Sequence, residues 1–173
     1  MTDVDGNAES RKGTVSVFNG PAPIIYVTAS ESDECDKVSA WLKDLVQQGV
    51  TPPEIGIFVR SDREVARAVQ VASAAGLTYK ILDEHVETKA GHASICTMHL
   101  AKGLEFRAVV VMACDDEIIP SQDRIESVAD ESDLEEVYNT ERHLLYVACT
   151  RARDHLLVSA VGPGSEFLED FRG

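Results

Sequence analysis

The 173-residue chain holds no glycine-rich phosphate cradle of the GxxxxGKS/T kind. Nothing in it is therefore built to wrap a triphosphate and its magnesium in backbone amides. Its four cysteines, Cys35, Cys96, Cys114 and Cys149, are far apart with no CxxC spacing. That excludes a zinc site or a disulfide framework, and the last three, in apolar context, are expected as buried thiols. No apolar run approaches the length of a membrane span, and the opening MTDVDGNAES lacks signal-peptide character, so no membrane partner is expected and the cytosol is the expected location. Neither clustered metal-binding carboxylates nor a Ser/His/Asp arrangement stands out, so no metal site is assigned. Positive charge is also short: 16 Lys and Arg stand against 30 Asp and Glu, a net charge of −14. Residues 1–36 hold seven acids and two bases, and residues 115–136 hold ten acids and one base. Those two stretches account for the whole excess, which argues against strong DNA binding by this chain alone.

What is present reads as alternating strands and helices. Residues 1–20 are polar and aperiodic, a flexible tail. Strands are expected at IIYVT (Ile24–Thr28), IGIFV (Ile55–Val59), YKIL (79–82), ASICTM (Ala93–Met98), AVVVMA (Ala108–Ala113) and LLVSAV (Leu156–Val161). Val38, Trp41, Leu42, Leu45 and Val46 recur at helical spacing from Lys37 to Gln48, with Gly49 as a stop and Trp41 as core. SDRE at 61–64 is a capping-box pattern opening a second helix, with Val65, Ala68, Val69 and Ala72 inward and an end near Gly76. Leu134, Val137, Glu141, Leu144, Leu145 and Ala148 mark a long helix, and a short helix closes the chain. The acids at 115–136 read as a solvated loop. Continuous apolar strands alternating with helices predict one α/β domain over residues 21–173, a mostly parallel sheet with helices on both faces.

In such sheets ligands bind where strands end. Arg60 follows the strand at Ile55–Val59 directly; its fork suits phosphate, while the bland alternative is pairing with a surface acid. Arg151, in TRAR, ends the long helix, where the helix dipole favours a cation in any case. Arg153, two residues on, is expected in solvent. The strand at 93–98 runs into HLAKGLE. There Gly103 permits a tight turn, Glu105 suits a ribose hydroxyl, Lys102 suits a phosphate or an acid, and His99 suits a nucleic-acid backbone or a turn cap. The chain thus offers cations for phosphate and nothing that holds the rest of a nucleotide.

The order IGIFVRS, TMHLAKGLEFRAVVVM, ERHLLYVACTRARDHLLVSA resembles the second RecA-like core domain of UvrD/Rep-type superfamily-1 DNA helicases over residues 21–162, the segments matching motifs IV, V and VI. DDEIIPSQ resembles the family's connection between the last two. The resemblance implies a three-layer RecA-like, P-loop NTPase-type fold. It implies that Arg60 and Arg151 are arginine fingers on the γ-phosphate of ATP, that Glu105 with Gly103 and Lys102 lines the nucleotide, and that Thr97 and His99 meet single-stranded DNA. It further implies 3′-to-5′ movement, and a partner N-terminal RecA-like domain that carries the P-loop and the Mg2+ of the bound ATP. That domain is absent, as is the helical insertion common before motif V, so a fragment of a larger helicase is expected and the isolated chain is expected to hydrolyse no ATP. The competing expectation is a non-catalytic interaction module using the acidic stretch 115–136.

Overall fold

Residues 22–171 are described by the computed structural model; the tail read over residues 1–20 lies outside the described residues. Six strands form one sheet: β1 Ile24–Thr28, β2 Ile55–Val59, β3 Tyr79–Ile81, β4 Ala93–Thr97, β5 Phe106–Val111 and β6 Ala152–Val161. Their order is β1-β6-β5-β2-β4-β3, and every pairing is parallel. Four α-helices accompany them: α1 Glu31–Gln47, α2 Val65–Ala74, α3 Gln122–Glu126 and α4 Glu131–Cys149. None of the described helices is long and apolar enough to cross a membrane.

The handedness of parallel crossovers explains the layers. From β1 to β2 to β3 the chain moves one way across the sheet, and from β3 through β4 and β5 to β6 it moves back. Right-handed connections in opposite directions must cover opposite faces. One core accordingly gathers Val38, Leu42, Val71 and Ala72 of α1 and α2 against Ile57, Ile95 and Val110. The other gathers Leu145 and Ala148 of α4 with Phe58, Val109 and Val158. A doubly covered sheet is what the unbroken apolar strands require. Residues 82–92 join β3 to β4 with no helix between them.

Several boundaries differ from the sequence reading. Helix α1 starts at Glu31 rather than Lys37, because Ser30 caps it through Asp33 N and three acids occupy the first turn, where the helix dipole favours them. Val46 on its apolar stripe is exposed and Trp41 is only half-buried. β5 begins at Phe106 and ends at Val111, since Ala113 turns to φ 57. β6 starts at Ala152, with only Arg151 between it and the helix cap at Thr150. The acidic stretch is not one solvated loop: it contains α3 and the first turns of α4, and Ile119 is fully buried. The capping box at Ser61 and Glu64 forms, with Ser61 N donating to Glu64 Oε1 at 3.0 Å. The closing helix is a 3-10 turn over Glu166–Phe171.

Gly56 in β2 lies flat against the Phe106 ring, where an added Cβ would meet ring carbons at 2.5 to 2.9 Å. A ring at the start of a central strand has little room to retreat, so Gly56→Ala should lower the unfolding free energy by about 1–3 kcal/mol. Urea denaturation measures it, and Phe106→Leu in the same chain should recover part of the loss. Cys96, Cys114 and Cys149 are buried and Cys35 is not; burial raises all four thiols, Cys96 to about 12. A thiol-specific dye should therefore react with Cys35 first and with the other three only on unfolding.

Candidate functional site

The connection from β4 to β5 must travel from the carboxyl end of one parallel strand to the amino end of the other. Residues 98–105 make that journey on the α4 face, with Met98, Leu100, Ala101 and Leu104 packed into the core beneath them. The motif TMHLAKGLEF therefore serves both edges of the sheet. Thr97 and His99 lie at the carboxyl edge, Thr97 half-buried and His99 exposed. Lys102, Gly103 and Glu105 lie toward the amino edge, all three exposed. Gly103 has φ 86, a conformation that a side chain would strain.

Arg151 belongs to that amino edge. Its carbonyl accepts from Phe106 N at 2.9 Å, and its Nη1 donates to the Leu104 carbonyl at 3.2 Å. Its Nε donates to the Val147 carbonyl and its Nη2 to Thr150 Oγ1. TRAR and KGLEF are thus stitched side by side, and among the described residues the half-buried Arg151 holds its fork by neutral acceptors alone. Arg153 is exposed beside Asp154, as expected.

Arg60 lies at the other edge. It follows Phe58, which is level with Val111 of β5, whereas Ala152, next to Arg151, is level with Phe106. At strand rise the two backbones stand roughly 25 Å apart. The structure does not bring Arg60 and Arg151 together within this domain. Arg60 is buried, and its Nε and Nη2 donate to Glu141 Oε1 and Oε2 at 2.8 and 2.6 Å. Its Nη1 lies 3.0 Å from His99 Nε2.

Glu141, which sequence reasoning placed among the apolar positions of α4 without a role, is fully buried. It also accepts from Ser121 N at 2.8 Å and from Arg124 Nη1 at 2.9 Å. Burial alone would raise its carboxyl, yet the bonds from Arg60, Ser121 and Arg124 together hold it below the ordinary carboxylate value. For His99, partial burial and then the facing Arg60 charge lower the ring's pKa. The signal was visible in principle: an acid spaced i+4 from Val137 and i−4 from Leu145 sits in a core stripe and must be paired.

A second buried acid, Glu34 of α1, sits on the opposite face. It accepts from Arg67 Nη2, Ala113 N and Ser159 Oγ at 2.5, 3.0 and 2.8 Å. Arg67 also donates to Asp115, which accepts from Val161 N. Beside Arg60, between the turn after β2 and the segment at 117–123, lies a cavity of about 240 Å³. No group of three or more metal-ligating side chains gathers among the described residues.

Comparison with known proteins covers the segments TMHLAKGLEF and ERHLLYVACTRAR and leaves IGIFVRS, with Arg60, outside the family match. The family profile of the UvrD-like helicase C-terminal domain matches residues 69–162. A putative ATP-dependent DNA helicase, YjcD of Bacillus subtilis, is 46% identical over 67 residues, 38% of this chain and 8% of that protein. The ATP-dependent DNA helicase UvrD1 of Mycobacterium leprae is 38% identical over 77 residues, 44% of this chain and 9% of that protein. The match thus spans about a tenth or less of the length of these relatives. The crystal structure of the C-terminal domain of a possible DNA helicase from Lactobacillus plantarum superposes with a TM-score of 0.61 at 24% identity, over 91% of this chain and 87% of that one. That likeness bears on the fold, an α/β arrangement of the RecA-like kind.

Breaking a buried pair leaves a stranded charge, which costs about 3–5 kcal/mol. Arg60→Ala should lose that much in urea denaturation. Both His99 and Glu141 are held below their ordinary values of 6.5 and 4.5. Each therefore contributes stability when deprotonated, and loses it as pH falls below its ordinary value toward its lowered one. Thermal unfolding followed from pH 8 to pH 3 should show a decline beginning near pH 6.5 and steepening below 4.5. His99→Gln should flatten the first part.

Proposed function

Because the chain belongs to the UvrD-like helicase C-terminal domain family, whose profile covers a little over half of it, we propose that it acts as the second motor domain of an ATP-dependent DNA helicase. In this reading ATP is the substrate and binds between this domain and an N-terminal RecA-like domain. The observation that carries the reading is the amino edge, where Phe106 N donates to the Arg151 carbonyl and the Arg151 side chain donates to the Leu104 carbonyl, so that KGLEF and TRAR are held together. A half-buried guanidinium held only by neutral acceptors is suited to exchange a carbonyl for a phosphate oxygen, the stronger, charge-assisted partner. Arg151 is therefore proposed as the arginine finger that stabilises charge on the transferring phosphate. Glu105 would accept from a ribose hydroxyl, Gly103 would shape the turn beneath it, and Lys102 would meet phosphate. Magnesium is assigned to the partner domain, where it would neutralise phosphate charge.

Arg60 is not proposed at the phosphate, because its fork is already bound by a buried carboxylate at the opposite edge. Thr97 and His99, at the carboxyl edge, are proposed to meet single-stranded DNA, and the direction of movement is proposed as 3′-to-5′.

The test is ATP hydrolysis by the natural gene product with single-stranded DNA, alongside Arg151→Ala. We expect DNA-stimulated turnover that falls roughly a thousandfold or more in the variant, with nucleotide binding retained. Turnover unaffected by Arg151→Ala would remove the finger assignment. The 173-residue chain alone should show no turnover, and turnover by it would overturn the shared-site reading.

A further inference from the structure

We propose that Glu141 is a positioning residue: through Arg60 it holds His99 in the tautomer that carries its proton on Nδ1, so that the exposed ring presents an uncharged donor at the carboxyl edge of the sheet. The proposal deepens the function above and rests on it for the identity of the ligand, a phosphodiester oxygen of single-stranded DNA. The geometry of the tautomer stands without it.

The argument begins at the carboxylate. Glu141 Oε1 accepts from Arg60 Nε and Ser121 N, and Oε2 accepts from Arg60 Nη2 and Arg124 Nη1. Two parallel bonds fix the plane of the Arg60 guanidinium, as a fork gripped at two points cannot rotate. The remaining nitrogen, Nη1, is thereby aimed at His99 Nε2 at 3.0 Å. A guanidinium has donors and no acceptor. The bond therefore exists only if Nε2 offers its lone pair, which puts the ring proton on Nδ1.

Protonating Nε2 would break that bond and set imidazolium against a cation. The charged groups that face the ring are Arg60 and Arg124 on one side of the balance and Glu141 and Asp62 on the other. Glu141 is already shared between two arginines. The neutral ring is the form that satisfies every partner. No other described side chain is hydrogen-bonded to the His99 ring, and the residue is exposed.

Imidazole nitrogen NMR on the histidine-labelled 173-residue chain decides it. His99, assigned by the signal lost in His99→Gln, should be in the Nδ1–H form at neutral pH and should titrate lower than an ordinary histidine. In Arg60→Met its population should move toward the Nε2–H form and its titration midpoint should rise. In Glu141→Gln the tautomer should become mixed. A purely structural role for Glu141 would leave the tautomer unchanged in that variant, and this result would overturn the proposal. Should neither variant fold, a wild-type ring in the Nε2–H form overturns it equally. Adding oligothymidylate then tests the ligand: a shift of the His99 Nδ1–H signal supports the DNA reading, and its absence counts against that reading while the tautomer result stands.

Discussion

A fully buried carboxylate in the core stripe of a helix is the constraint around which this domain is organised. An ionised carboxyl without partners costs several kcal/mol in such a place, so Glu141 must draw donors to itself, and those donors come from separate parts of the chain. Arg60 comes from the end of β2, Ser121 and Arg124 from the start and interior of α3, and α4 supplies the acid itself. Glu34 does the same on the other face, gathering Arg67 from α2, the Ala113 amide and Ser159 of β6. The two acids bind opposite ends of one segment. Residues 113–115 are held by Glu34 and Arg67, residues 121–124 by Glu141, and Ile119 is buried between them. A stretch rich in acids is thereby fixed to the sheet's carboxyl edge rather than left in water.

The same clamp places the two proposed sites in mechanical relation. The connection from β4 to β5 crosses the α4 face from one edge of the sheet to the other, so a single motif touches both edges. Helix α4 runs beside it from the Glu141 clamp to Cys149, two residues short of Arg151. Glu141 stands about 12 Å from the helix end at Cys149. On the proposed reading, DNA at His99 and phosphate at Arg151 press on the two ends of one helix and one connection. A rigid helix joining two ligand sites is the physical means by which closure at one can displace the other.

The extent to which this was legible in the sequence follows from the range of each interaction. Strand cores such as IGIFV and the capping box at Ser61 are decided by neighbours within a few residues, and they stand where periodicity places them. The α1 start escaped because its first turn carries acids rather than apolar residues, and the helix is fixed there by Ser30 and the dipole. The β6 start escaped because TRAR carries no strand pattern and joins the sheet only by pairing with β5. Arg60 was placed at the right strand end, yet its partner lies 81 residues away, and no local spacing encodes that. The separation of Arg60 from Arg151 was legible in principle, since in a parallel sheet a residue that follows one strand and a residue that precedes another lie at opposite edges. The resemblance to helicase motifs named the segments and put Arg60 with Arg151 at one phosphate, whereas the strand register sets the two at opposite edges of this domain.

Charge sets the last condition. A domain of net charge −14 gains nothing from long-range attraction to a polyanion, and its acids near the carboxyl edge would repel one. A cationic contact there would be screened by salt, and the carboxylates of Glu117 and Asp123, which line the cavity beside Arg60, would compete with phosphate for it. An uncharged donor forms no ion pair for salt or these acids to weaken: a neutral imidazole binds a phosphate oxygen by direction and distance, and only the phosphate brings a charge to desolvate. The imidazole also grips at one point only, without the second bond and the opposite charge of an arginine fork on phosphate. On the proposed reading, a motor that lets go of its track at every step is better served by one oriented hydrogen bond than by an ion pair. The buried pair of Arg60 and Glu141 supplies that orientation while keeping its own charges away from the strand.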